Sequence, residues 1–443
     1  MSKNLPGKRE KIMKKRLLSV LLCAGLIASL AVGCGGGKDA GKDGEKETLS
    51  VWLPPLDDET EKNYVPLLDK FEEENNCELD VQIIPWDTYE EKYMTGINAD
   101  EGPDVGYMYV EMFPTYIDSG AVVDMSEYLS DEDYEEYLYL DKGEMMGGQY
   151  GVPIVTGNPF IMYYNKDILD ELGEKAPETW EDFKRICEKA TKDTDGDGKI
   201  DQYGYAAGFN NGDMSPLYLL NSYYYSLLWQ SGSDIYNDDL KSVRFNDEAG
   251  VKAVEYLKSL TPYMPEDYMS LAATDAFSSV FGGGKAAFAC ARAMQAQTES
   301  FKETYPDLNW DYVTSLKGEQ YGTFGAADCL TLMSACENKE LGMKLIKYMV
   351  GSEVMTAYHK EHFGAPMTAD EPYQGDEKLE RILTEDRDKW RPLQAGPCGS
   401  DILLNLTSQL QAVMSGDAEA KEALDEAADY SNELLDEYWA DKE

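Results

Sequence analysis

From residue 49 onward the chain alternates between short stretches with an apolar residue at every second position and longer ones with apolar residues three or four apart. "TLSVWLPP" (48–55) and "CELDVQIIPW" (77–86) read as strands. Between them, "EKNYVPLLDKFEEENN" (61–76) reads as a helix with Tyr64, Leu67, Leu68 and Phe71 on one face. This strand-helix-strand order is the grammar of an α/β fold. "EGPDVGYMYV" (101–110) adds a buried strand, and "GVPIVTGNPFIMYYNKDIL" (151–169) a strand and a polar turn. "TWEDFKRICEKATK" (179–192) has Thr179 as N-cap, Asp182 three places on, and Trp180, Phe183, Ile186, Cys187 and Ala190 along one stripe. Further on, 248–260 and 340–363 read as helices, while 280–291, 308–316 and 328–335 read as strands. The tail, 403–439, predicts two amphipathic helices around a turn at Gly416. No repeat of 20 to 50 residues recurs, which argues against a solenoid or propeller.

The first 33 residues follow another logic. A basic run with Lys8, Arg9, Lys11, Lys14, Lys15 and Arg16 precedes the apolar "LLSVLLCAGLIASLAV", shorter than the roughly 20 residues that span a bilayer. Residues 1–33 are therefore expected to be an export signal that is removed. Its end, "AVGC", resembles the lipobox of bacterial lipoproteins, with Ala31 where Leu is commonest, and that resemblance makes Cys34 the lipidated (palmitate-bearing) first residue of the mature chain. Residues 34–48, rich in Gly, Lys and Asp, lack apolar residues able to build a core and read as a flexible tether.

Without residues 1–33 the chain carries 33 basic and 83 acidic residues, a formal net charge of −50. Such a surface repels nucleic acid and anionic lipid alike, so membrane attachment is expected from the lipid on Cys34 alone. A mature length near 400 residues exceeds one hydrophobic core and predicts two lobes. Cys77, Cys187, Cys290, Cys329, Cys336 and Cys398 show no CxxC spacing, which disfavours a zinc site and leaves buried thiols, with room for one disulfide.

"DTDGDGKIDQYG" (193–204) has the spacing of a calcium loop: Asp193, Asp195 and Asp197 at positions 1, 3 and 5, Gly198 at 6, the Lys199 carbonyl at 7 and Asp201 at 9. Position 12, a bidentate Glu in calcium sensors, is Gly204, and Gln202 offers a carbonyl oxygen instead. The pattern predicts a structural Ca2+ rather than a switch; the alternative is a solvated acidic turn. The 31 Tyr and 7 Trp supply flat faces suited to pyranose rings. Trp52 and Trp86, at the ends of the first two strands, face a cleft if strand C-termini line it, and are core residues otherwise. "FGGGKAAF" fails as a phosphate loop, because the earlier glycine would be Ser279 and Ala286 follows Lys285. "HKEH" places both histidines, His359 and His362, on one helix without an HExxH pattern, which leaves little for metal or triad chemistry.

Five blocks in order resemble the extracellular solute-binding proteins of ABC importers, family 1, associated with sugars and oligosaccharides. They are "LSVWLPP", "GPDVGYMYVEMFPTYIDSGAVVDMSEYL", "GVPIVTGNPFIMYYNKDILDELGEKAPETWEDF", "VFGGGKAAFACARAM" and "GAADCLTLMSACENKELGMKLIKYMVGSE", and the likeness spans 49–443. It implies an α/β, two-lobed, periplasmic-binding-protein-like type II fold with an interlobe cleft and a hinge. Lobe 1 would be 49–155 with 314–366 and lobe 2 would be 156–313 with 367–443, joined by crossings near Val155, Val313 to Leu316 and Gly364 to Thr368. The resemblance further implies a carbohydrate ligand, ABC permease subunits as partners and an extracytoplasmic, lipid-anchored monomer without enzymatic activity. It brings Met108, Tyr109 and Glu111 to the cleft, of which Tyr109 and Glu111 are favoured as ligand contacts, and sets Asn158 and Arg292 at comparable places in the second lobe. Of Tyr223, Tyr224 and Trp229 in "NSYYYSLLWQSG", one is expected at the site and the others in the core. Related proteins also have a calcium loop after the same helix, whereas the aliphatic "DILLNLTSQL" lacks the aromatic and basic contacts that maltodextrin binders carry there. The competing reading is a secreted, calcium-containing glycoside hydrolase or lyase, for which no catalytic pair has an identifiable spacing.

Overall fold

The alternating segments sort into two separate sheets. In the computed structural model, which describes residues 46–440 and 442 apart from 363, the principal strands in chain order are β1 (Glu47–Leu53), β2 (Cys77–Ile83), β3 (Val105–Met108), β4 (Val152–Val155), β5 (Phe160–Asn165), β6 (Tyr203–Ala206), β7 (Ala286–Arg292), β8 (Trp310–Val313) and β9 (Asp328–Leu332). One sheet has the order β2-β1-β3-β9-β4 and the other β8-β5-β7-β6. β1 runs parallel to β2 and β3, whereas β9 runs antiparallel to β3 and β4. In the second sheet β5 is antiparallel to β7 and β8, and β6 is parallel to β7. The export signal, Cys34 and most of the 34–48 tether lie outside the described residues.

Helices cover the sheets, so inner strands are apolar on both sides: Val51, Trp52 and Leu53 are consecutive and all buried. The helix Trp180–Ala190 forms as its sequence asks. The Thr179 hydroxyl accepts from the Asp182 N–H at 3.2 Å, and Trp180, Phe183, Ile186, Cys187 and Ala190 are its buried face. Each large apolar side chain buried in this way contributes about 1.5–3 kcal/mol.

The structure departs from the simple pattern at three places. Pro66 cannot continue a helix, and 60–75 splits into a short helix at Thr60–Asn63, a 3-10 turn at Val65–Leu68 and a helix at Asp69–Asn75. "VFGGGK" is not strand: a π-helical stretch over Ala276–Phe281 ends at the glycines, and β7 begins at Ala286. The span 340–363 holds two helices, Lys339–Met349 and Ser352–His362, separated at Val350 and Gly351. The tail forms Gly399–Ser415 and Ala420–Ala440, and Gly416 between them takes φ +89°, a conformation that favours glycine. Cys187, Cys290, Cys329, Cys336 and Cys398 are unpaired thiols, and burial pushes the pKa of each above the ordinary thiol value.

The chain leaves the first sheet at Val155 and enters the second at Phe160, with Gly157 at φ +65° between them. A Cβ at Gly157 would lie 2.6 Å from the Ala365 Cβ, so both the backbone angle and the space call for glycine. The turn matters because the residues on either side of it, Thr156 and Asn158, both reach the cavity described next.

Candidate functional site: a cleft between the two sheets

Strand ends from both sheets converge on one cavity of about 700 Å³. The first sheet supplies the loop after β1 (Pro55 to Glu59), Trp86 beyond β2, Tyr107 near the end of β3 and Val155 at the end of β4. Asn158 comes from the connection leading into the second sheet, and Arg292 closes β7 of that sheet. Carboxyl ends of strands are where an α/β sheet leaves room for a ligand, because the connecting loops splay apart there.

Trp86 is the aromatic centre of this wall. Its ring lies 5.4 Å from Tyr89, 5.9 Å from Tyr107 and 6.4 Å from Tyr109, contacts that fix its plane. Tyr107 donates to the buried Asp328 carboxylate at 2.6 Å. Burial raises the Asp328 carboxyl, and the Arg292 guanidinium and the Tyr107 hydroxyl oppose that rise. Among the described residues the Arg292 side chain forms no hydrogen bond or ion pair; its guanidinium rests 5.9 Å from the centre of the Phe160 ring. It is a cation on the cavity wall whose donors are unspent. Asn158 is half committed, since its Oδ1 accepts from the Met294 N–H at 2.8 Å.

Tyr109 and Glu111 lie beside this cavity rather than on its wall. The Tyr109 hydroxyl bonds to the Glu90 carboxylate, and its ring packs toward Trp86. Glu111 is 5% exposed; burial pushes its carboxyl up to about 8, with the Asp328 and Glu90 carboxylates adding to the rise. Met108 is wholly buried.

Three expected contacts prove to be core residues. Trp52 lies edge-on to Tyr93 at 5.2 Å and against Gly96, under the helix Tyr89–Asn98, because its place in β1 turns it to the helix-covered face. Tyr224 is fully buried in the π-helical turn Leu220–Tyr224. Trp229 is 1% exposed, stacked on Tyr225 and held by Asp234. Tyr223, the third aromatic of that run, is buried as well.

Sequence reasoning missed the far wall. His359 and His362, set aside above, line the cavity on the helix Ser352–His362. His359 Nδ1 sits 2.5 Å from Glu371, and His362 Nδ1 lies 3.6 Å from Asp57, which also accepts from Tyr358 at 2.9 Å. Their partners are 12 and 305 positions away, and no local motif announces them. Asp328 likewise gives no sign in the sequence beyond being the first residue of its strand.

The acidic loop is only partly as expected. Asp193, Asp195 and Asp197 bring carboxylate oxygens within 4.8 Å of one another, and Gly196 and Gly198, at φ +81° and +90°, donate their N–H groups to Asp193. This oxygen-only donor set fits Ca2+. Asp201 and Gln202 are turned elsewhere: Asp201 accepts from the Thr194 N–H at 2.9 Å and its hydroxyl at 2.8 Å, while the Gln202 amide donates to the Ala190 carbonyl. Lys199 donates its N–H to Asp197. The absent Glu at position 12 has a steric cause, because a Cβ at Gly204 would lie 2.4 Å from the Cys187 carbonyl oxygen.

Residues 67–379 match the family described as bacterial extracellular solute-binding protein. The galactooligosaccharide-binding protein of Bacillus subtilis (strain 168) is 23% identical over 94% of this chain and 96% of its own. The diacetylchitobiose binding protein DasA of Streptomyces coelicolor is 30% identical over 40% of this chain and 44% of its own. Among solved structures, an ABC transporter solute-binding protein from Thermotoga lettingae bound with alpha-D-tagatose has a TM-score of 0.74 at 20% identity, covering 88% of this chain and 100% of that one. The ABC substrate-binding protein Lmo0181 of Listeria monocytogenes, in complex with cycloalternan, has a TM-score of 0.73 at 19% identity over 88% and 99%. These structural likenesses speak for the fold and agree with the two-lobed α/β architecture.

Proposed function

The chain belongs to the bacterial extracellular solute-binding proteins, and on that premise we propose that it captures a carbohydrate, an oligosaccharide, in the cleft between its sheets and delivers it to the permease of an ABC importer. The observation that carries this reading is the cavity itself: strand ends of both sheets, an aromatic face at Trp86, and polar groups at Asn158 and Arg292 that retain unspent donors. Such a wall suits a sugar, whose C–H faces need a flat apolar partner and whose hydroxyls need fixed donors and acceptors. The names of relatives that bind galactooligosaccharide and diacetylchitobiose support the same class. In this reading Cys34 carries the lipid that holds the protein at the cell membrane, and the protein is a monomer that turns over no substrate. The lobes are 49–155 with 314–366 and 156–313 with 367–443, and they close about the crossings.

A thermal-shift screen of mono- and oligosaccharides, including galactobiose, maltotriose, N,N′-diacetylchitobiose and tagatose, tests it. A saccharide at a hundred times its Kd is expected to stabilise the protein by about 2.7 kcal/mol. Absence of a shift with every saccharide sinks the carbohydrate reading, and cleavage products in the same incubations sink the carrier reading.

We read the loop at 193–201 as a structural Ca2+ site held by Asp193, Asp195 and Asp197. When bound, the ion supplies positive charge that offsets the repulsion of these carboxylates. EDTA is expected to lower the melting temperature, and Asp195→Ala to remove the response to EDTA while saccharide affinity stays as it was. A melt indifferent to EDTA excludes the site, and loss of saccharide binding in Asp195→Ala excludes a purely structural role.

A further inference from the structure

One polar group on the cavity wall is without an explanation in the fold. Thr156, 2% exposed, lines the cavity at the crossing between the sheets, and its Oγ1 is buried with no hydrogen-bond partner. A buried hydroxyl left in this state costs about 1–3 kcal/mol relative to a bonded one. Its neighbours point the same way. The β5/β7 ladder sets Phe160 opposite Arg292 and continues through the Ala293 N–H to the Pro159 carbonyl at 2.8 Å and the Met294 N–H to Asn158 Oδ1 at 2.8 Å. Arg292 and Asn158 are thereby fixed on one wall, with Thr156 just across the Gly157 turn.

We propose that Thr156 is a specificity-determining residue of the cleft, whose hydroxyl accepts a hydrogen bond from one hydroxyl of a vicinal pair on the solute while the guanidinium of Arg292 donates to the other. The inference rests on the carbohydrate reading and refines it. Arg292 has only donors to offer, while Asn158 keeps its amide donors and gives one lone pair of its Oδ1 to Met294. Thr156 adds, beside these donors, a neutral hydroxyl that can accept as well as donate, so the pair matches a group with adjacent oxygens of which at least one bears a proton. A carboxylate could accept from both Arg292 and Thr156, but it would bring further negative charge to a wall that already carries Asp57, Asp58, Glu59 and Glu303. The hydroxyl has no bond to lose within the protein. Rotation about χ1, which exchanges its methyl and hydroxyl positions, can present it to the cavity without breaking a contact of that kind.

Thr156→Val removes the hydroxyl and keeps the shape, and Thr156→Ser keeps the hydroxyl. Calorimetric titration with each saccharide that shifts the unsubstituted protein is expected to show affinity about tenfold weaker in Thr156→Val, equivalent to ~1.4 kcal/mol, and largely restored in Thr156→Ser. Analogues deoxygenated at the hydroxyl that contacts Thr156 are expected to bind Thr156→Val and the unsubstituted protein equally, whereas those lacking the partner hydroxyl keep the difference. Without ligand, the melting temperature of Thr156→Val is expected to be equal or higher, since an unbonded hydroxyl is lost. Unchanged saccharide affinity in Thr156→Val overturns the inference and leaves the carbohydrate reading standing. A lower unliganded melting temperature also overturns it, because the hydroxyl then serves the fold. Failure of the unsubstituted protein to bind any saccharide overturns both.

Discussion

Trp229→Ala is expected to destabilise the protein by about 3–5 kcal/mol, the range for deleting a buried aromatic side chain, with saccharide affinity of the folded protein unchanged. The indole is 1% exposed. One face stacks on Tyr225 at 5.8 Å and an interplanar angle of 17°, and the Arg391 guanidinium lies 4.3 Å from the ring centre. Its Nε1 donates to Asp234 at 2.9 Å, and the other oxygen of that carboxylate accepts from Arg391 at 2.6 Å. Truncation therefore opens a cavity, removes one bond to Asp234 and strips Arg391 of its aromatic support. Chain packing leaves little scope for collapse, since a Cβ on Gly322 would lie 2.9 Å from the Trp229 Cβ. Trp229→Phe should recover part of the loss, because the stack survives and the hydrogen bond does not. Denaturant unfolding measures the effect; a variant of native stability that no longer binds saccharide would return Trp229 to the cleft.

The second large effect is a dependence of stability on pH set by Glu111. Its carboxyl rises from 4.5 in a solvated state to about 8 in the fold. The folded protein thus holds this proton more tightly than the unfolded chain. The associated stability is complete below pH 4.5 and falls by about 1.4 kcal/mol per unit as pH rises toward 8, beyond which no more is lost. Asp328, whose buried carboxyl is also raised, acts with the same sign. Glu111→Gln replaces the acid with a neutral group of the same shape. The variant is expected to gain on the unsubstituted protein steadily between pH 5 and 8, reaching several kcal/mol at the upper end. Unfolding free energies measured across that range would show it, and two parallel curves would refute it.

How much of this was legible in the sequence depended on whether the deciding contact was local. The helix Trp180–Ala190 was readable to its cap because N-cap, acidic third residue and apolar stripe all lie within twelve residues. Trp52 was not, because helices cover the sheet that holds it: a cleft tryptophan and a core tryptophan look alike when both faces of a strand are apolar. Trp86 carried the same ambiguity in the sequence, and its place beyond the end of its strand is what brings it to the cavity. Of Tyr223, Tyr224 and Trp229 one was expected at the site, yet the π-helical turn and the helix after it bury all three. The histidines were undervalued for the converse reason, since Asp57 approaches His362 only through folding across most of the chain. In the acidic loop the spacing carried the first three aspartates, while Thr194 and Ala190 claimed Asp201 and Gln202 through contacts that no spacing rule records.

The strand order has a bearing on how the molecule is made. The second sheet is drawn from a single stretch, 160–313, so all its strands are present once that stretch has been synthesised. The first sheet cannot close then: β3 and β4 are joined through β9, which begins only at Asp328. Until that strand arrives, β3 has a bare edge, with backbone groups open to wrong pairing. Completion of the first sheet thus waits on residues 328–332, whereas the second needs nothing beyond residue 313.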